Sequence, residues 1–201
     1  MDRGVPGAGR GTGVVTGPAD SFRPLARSEF TLANKLERVA WRLVWLLLAR
    51  LTPPQLAGWR RFLLRLFGAR VGAGAKVYGS TRIWLPRHLE LGEGALVGPG
   101  AELYNQGRIV IGPHCVISQR AFLCASTHRV SDPNFVLVTH PITLGRGCWV
   151  AAEAFVGPGV TMGDGAVLAA RGALFEDAAP MGIYRGNPAA LIGERHFEER
   201  G

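Results

Sequence analysis

The chain has 201 residues, enough for one well-buried domain and a small extension, and 28 of them are glycine. No G-X-Y period accompanies these glycines, which excludes a collagen-like chain and demands another explanation. The formal charge of +8 lies wholly in residues 1–70, where 12 Lys+Arg face 4 Asp+Glu, whereas residues 71–201 hold 11 of each; no DNA- or RNA-binding motif is present, so no nucleic-acid partner is expected.

Residues 1–30 are rich in Gly, Pro, Arg and Ser without apolar periodicity, and read as a disordered leader. A helical extension is predicted over 31–68. Thr31 or Asn34 caps a first helix running to about Leu51, where Pro53-Pro54 ends it. A second helix, about Gln55 to Phe67, sets Leu56, Trp59, Leu63 and Leu66 on one stripe, with Arg60, Arg61 and Arg65 largely elsewhere. Two roles fit this basic, amphipathic extension. It caps the domain that follows, or it lies on an anionic membrane through residues 31–67. The apolar run Leu43 to Ala49 is too short to span a bilayer, and no secretory signal opens the chain, so a cytoplasmic location is expected.

From Val71 the period changes to six. Large aliphatic residues recur as Val71, Val77, Ile83, Leu89; as Leu91, Val97, Leu103, Ile109; and as Ile111, Ile117, Leu123. After a break the series resumes as Leu144, Val150, Val156, Met162, Leu168, Leu174. Many are followed by glycine, and the fifth hexad position is small in all but Arg87. Such a period fits neither an amphipathic helix nor an alternating strand. It fits a mainly β fold: a single-stranded parallel β-helix over 71–179, each hexad forming one side of a triangular coil. About five coils are expected. The starts at 71, 91 and 111 lie 20 apart, so two extra residues sit at the same corner of each early coil. Residues 180–201 read as a C-terminal tail.

His128 ends a hexad immediately before the one interruption, the loop 129–141. A loop leaving a rigid coil is a common place for chemistry, and an imidazole can take a hydroxyl proton near neutral pH. His140, at the end of the loop, reads as structural. No two of the five histidines have the close spacing of a zinc carbonic anhydrase on this fold, and no metal is expected. Cys115, Cys124 and Cys148 form no C-x-x-C pair; Cys115 and Cys148 share a hexad position and should stack in the core.

Longer strings then resemble a known group. L-C-A-S-T-H-R (123–129), H-P-I-T-L-G-R-G-C-W-V (140–150) and G-D-G-A-V-L-A-A-R-G-A-L-F-E-D-A-A-P-M-G-I-Y-R-G-N-P-A (163–189) resemble the galactoside and maltose branch of the hexapeptide acyltransferases. N-K-L-x-R and W-R-R-F-L-L-R-L-F-G-A in the extension, L-Y-N-Q-G (103–107) and I-S-Q-R-A-F-L-C-A-S-T-H resemble the colanic-acid biosynthesis acetyltransferases more closely. The resemblance implies a left-handed coil, a homotrimer with its active-site cleft between subunits, and acetyl-CoA as co-substrate. It implies O-acetylation of a sugar or glycan hydroxyl in exopolysaccharide synthesis, with His128 as general base.

It further implies that the backbone at Ala152 and Ala170 meets the thioester and pantetheine arm, where N–H donors can face a developing oxyanion. Trp149 lines the cleft by resemblance, or else packs against a neighbouring subunit. Asn105, beside Tyr104, either orients the acceptor or supports a tight corner. The chain departs from the pattern at Phe175-Glu176-Asp177 and at Ala190, where relatives carry basic residues toward the CoA phosphates; Arg171, Arg185 or Arg195 are the substitutes at hand. Two other functions fit the repeat: transfer to another small hydroxyl or amine, or a non-catalytic scaffold.

Overall fold

The structure is a computed structural model that describes residues 30–197. The expected disorder of the leader concerns residues that lie, except for Phe30, outside this range. From Arg70 the chain winds into five complete three-sided coils and begins a sixth. The first face stacks Arg70–Val71, Leu89–Leu91, Ile109–Ile111, Ile142–Leu144 and Thr161–Met162 in parallel. The second stacks Lys76–Val77, Leu96–Val97, Val116–Ile117, Trp149–Val150 and Val167–Leu168. The third stacks Arg82–Ile83, Glu102–Tyr104, Phe122–Cys124, Phe155–Val156 and Ala173–Leu174.

All seventeen aliphatic ladder positions are buried, each stacking on its counterpart in the next coil. Burial of each such side chain stabilises the fold by roughly 1.5–3 kcal/mol, which only continuous stacking can collect. Cys115 and Cys148 pack in this core, as their shared hexad position implies. A thiol hydrogen bond with Cys148, reinforced by burial, pushes the Cys115 pKa well up.

The extra residues of the early coils all fall at the corner joining the third face back to the first. Here lie the 3-10 turn Pro86–His88, the Asn105 corner and the excursion after Cys124. The other two corners keep a strict length.

At the N-terminal end the open coil is closed by two helices. Helix α1, Leu32–Leu48, starts at Thr31, whose hydroxyl accepts from the Asn34 N–H at 3.2 Å. It stops at Leu48, short of the expected Leu51. After a 3-10 turn at Pro54–Leu56, helix α2 covers Ala57–Leu66. An end coil presents carbonyls with no next strand to satisfy them, and both helices supply side-chain donors. Trp41 Nε1 donates to Ile83 O, and Trp45 Nε1 donates to Gly79 O and Thr81 O. Arg60 Nε donates to Val77 O at 2.6 Å, Arg61 to Ala75 O, and Arg65 to Val71 O.

This corrects the stripe read for the second helix. α2 buries Ala57, Arg60, Leu63 and Leu64, and leaves Leu56, Trp59 and Leu66 exposed. The cause is the carbonyl edge: arginine can donate to it and leucine cannot. Arg60 also donates to Thr52 Oγ1, Pro53 O and Pro54 O, and burial lowers its pKa from the usual guanidinium value. Arg60→Ala is therefore expected to cost about 3 kcal/mol, because several buried acceptors lose a charged donor together. Urea unfolding checks this, and Arg60→Lys should recover little, since one ammonium cannot span the same set.

The tail is also corrected. Gly182–Gly186 adds in parallel to the second face, and Ala189–Glu194 folds back on it as an antiparallel hairpin. Arg195 Nη1 pins the hairpin by donating to Gly147 O at 2.9 Å and Gly165 O at 3.2 Å. The second face is thus extended by two further strands at this end.

Candidate active site

The interruption expected as a loop over 129–141 is a turn-rich segment joined at its base by a short β-ribbon. Ser126–His128 pairs antiparallel with Leu137–Thr139, projecting from the corner between the third and first faces. His128 stands opposite Leu137, exposed, with its Nδ1 2.5 Å from the Phe135 carbonyl oxygen. A carbonyl only accepts, so Nδ1 donates here, and in the neutral ring Nε2 keeps the lone pair. That tautomer is the one a general base needs.

The Phe135 carbonyl is itself held. Phe135 adopts φ 50°, and its N–H donates to Asp132 O at 2.9 Å. Asp132 Oδ1 accepts from the Asn134 N–H at 2.9 Å, and the Arg129 N–H donates to Val136 O at 2.9 Å. Sequence reasoning missed Phe135 because its contribution is a backbone oxygen, to which side-chain identity gives no signal. His140 closes the ribbon through its backbone, donating to Ala125 O at 3.0 Å.

Beneath the ribbon, Asn105 is fully buried. Its Oδ1 accepts from the N–H groups of Trp84 and Leu85, and its Nδ2 donates to Leu85 O at 2.6 Å. Of the two readings the geometry gives Asn105 the corner-supporting one, for these contacts turn its amide into the coil below. Gln106 Nε2 donates to Tyr104 Oη at 3.1 Å, while its buried Oε1 has no hydrogen-bond partner among the described residues. Tyr104 lies edge-on between Trp84 and Phe122, and burial, the largest influence on it, raises its pKa.

The remaining expected residues gather at a different corner, between the second and third faces. Ala152 and Ala170 occupy the same corner position in successive coils, 152 half-buried and 170 exposed. Neither backbone N–H donates to a described residue, whereas the adjacent Ala151 N–H and Ala169 N–H are paired to Leu168 O and Tyr184 O. Ala152 and Ala170 thus leave two amide donors available along this edge, where the second coil has Pro99 and no donor. Trp149 lies nearby on the second face, 43% exposed, with Nε1 donating to Ser118 Oγ at 2.9 Å.

A charged ladder runs up the same corner. Arg120 and Arg171 both pair with Glu153, the latter at 2.8 Å. Hydrogen bonds from Arg171 and Arg120 hold the Glu153 carboxyl below the usual range. Arg171 is therefore shared with Glu153, and Arg195 is committed to the hairpin. Arg185 projects exposed from Gly182–Gly186. Among the described residues no three His, Cys, Asp or Glu come together as a metal site.

No protein-family profile matches the chain. Its fold is shared with solved hexapeptide-repeat acetyltransferases. A galactoside acetyltransferase in complex with coenzyme A superposes with a TM-score of 0.75 at 19% identity, over 86% of this chain and 90% of that one. A hexapeptide-repeat acetyltransferase of Vibrio cholerae O1 biovar eltor, complexed with acetyl coenzyme A, gives 0.72 at 18% identity, over 81% and 87%. The sequence carries the assignment further. Over 166 residues, 83% of this chain and 91% of the relative, it is 41% identical to the "Putative colanic acid biosynthesis acetyltransferase WcaF" of Escherichia coli (strain K12). The chain belongs to this family of acetyltransferases.

Proposed function

We propose that the protein transfers the acetyl group of acetyl-CoA to a hydroxyl of a glycan in exopolysaccharide synthesis, with His128 as general base. The observation that carries this is the exposed His128 imidazole, held at Nδ1 by the Phe135 carbonyl. Nε2 takes the proton from the acceptor hydroxyl as its oxygen attacks, and returns it to the departing sulfur. The thioester supplies the activated acetyl group. The outward N–H groups of Ala152 and Ala170 suit the carbonyl oxygens of the acyl and pantetheine arm. Of the three arginines expected there, the exposed Arg185 is the one whose side chain has no partner among the described residues, which suits it to a CoA phosphate.

The homotrimer that the family resemblance implies fits where these groups lie. His128 and the Ala152–Ala170 edge flank opposite sides of the third face, so one chain does not bring them together. A second copy, setting its amide-bearing corner against the histidine ribbon of the first, would do so, and the proposed trimer repeats this contact around a ring. The third face supports this, with a row of stacked aromatics, Tyr104, Phe122, Phe155 and Phe175, that ends exposed at Phe175.

The test is incubation with acetyl-CoA and a panel of glycan and small amine acceptors, read by mass spectrometry. Gain of one acetyl on a sugar hydroxyl is expected; transfer to amines alone would redirect the reading. Acetyl-CoA at a hundred times its Kd should also stabilise the fold by about 2.7 kcal/mol, whereas a scaffold would show no shift.

A further inference from the structure

The helical extension buries one side and leaves a second apolar side in water. On α1, Trp41 and Trp45 face the coil. Opposite them Leu32, Leu36, Val39, Leu43, Leu46 and Leu47 recur at spacings of three and four, with exposures of 50 to 72%. The surface continues past the end of the helix through Leu51 and Trp59. Trp59 Nε1 donates to Leu48 O at 2.8 Å, and its ring stacks on Phe62 at 5.6 Å. A capping helix requires one apolar face, not two, and a continuous exposed patch of this kind marks an interaction surface.

The charge around the patch says what covers it. Residues 31–70 hold eight Lys+Arg against one acidic residue, Glu37, which is paired with Arg87. Arg60, Arg61 and Arg65 are used by the coil edge, whereas Lys35 is exposed on α1, Arg42 is exposed on α1 with its guanidinium 5.7 Å from the Trp84 ring, and Arg50 is exposed just past the helix end. Leucines flanked by cations fit the boundary between acyl chains and anionic headgroups, where each basic residue contributes about 1 kcal/mol. A protein partner with an acidic rim would need matching apolar contacts. A lipid surface supplies both from one source. No described helix is long and apolar enough to cross a membrane, so α1 would lie in the interface.

We infer that the outer side of α1, extended by Leu51, Trp59 and Phe62, docks the enzyme on an anionic phospholipid surface. The inference deepens the proposed function, since it sets the acetyl-transfer site beside membrane-held glycan. It does not depend on that function for its test. The full chain is floated with phosphatidylcholine vesicles and with vesicles containing phosphatidylglycerol, without acetyl-CoA. Binding at least tenfold stronger to the anionic vesicles is expected, weakening as salt is raised. Leu36→Glu with Leu43→Glu should abolish flotation while leaving the urea midpoint within error, because both side chains face away from the coil. Equal failure to float with either vesicle overturns the inference. So does light scattering that shows the unaltered protein in a larger assembly than the double variant, which would assign the stripe to a second copy. Acetyl transfer to a soluble acceptor, measured separately, tells loss of docking from loss of catalysis.

Discussion

His128→Ala is expected to lower acetyl transfer by two or more orders of magnitude while leaving acetyl-CoA binding nearly unchanged. General-base catalysis contributes typically 10²–10⁴-fold, and the backbone donors proposed for the thioester lie at another corner. The thermal shift with acetyl-CoA should therefore persist in the variant as turnover collapses. The imidazole is exposed on a projecting ribbon, so its removal should hardly disturb the fold. Near-normal turnover would eliminate the histidine as base. Loss of both turnover and the acetyl-CoA shift would mean instead that the ribbon holds the thioester.

The second large effect concerns packing. Gly112→Ala should destabilise the coil by about 3 kcal/mol and lower Tm by roughly 6–12 °C. At the corner between the first and second faces, Gly72, Gly92, Gly112, Gly145 and Gly163 stack in a column of backbone contacts. A Cβ on Gly112 would stand 2.4 Å from Gly145 O and 2.7 Å from Leu144 O, both rigid backbone. Only separation of two coils relieves that overlap, and it stretches the ladder on two faces. Gly193→Ala, with nothing within 4 Å of the new methyl, should be near neutral in the same calorimetric scan. A similar Tm for both variants would show that the coils can part without cost.

The repeat was legible because every ladder position has nearly the same surroundings, so Val71 and Leu174 obey one rule a hundred residues apart. His128 was legible as a candidate because it sits where that rule stops. Its tautomer was not, since a backbone oxygen and a left-handed Phe135 set it. The second helix was misread because a stripe of Leu56, Trp59 and Leu66 says that a surface is apolar, not which partner takes it. The end coil chose Arg60 for its donors, and no spacing announces that choice. The hairpin at Gly182–Glu194 was missed for a related reason: once the six-residue period ends, a strand added to an existing edge carries no pattern of its own.

The placement of all extra length at one corner bears on how such a protein can diversify. Two corners have a fixed length set by close backbone contact, and an insertion there would misalign the whole stack. The third has already accommodated a 3-10 turn, an asparagine-braced bend and a ribbon of more than a dozen residues without altering the coils above and below. Changing side chains between Arg129 and Val136, with the turn that presents the Phe135 carbonyl kept, would thus alter what meets His128 while leaving the Ala152 and Ala170 edge intact. With the acceptor at the ribbon and the donor at that edge, as proposed, acceptor choice could drift through these side chains while donor binding stays constant.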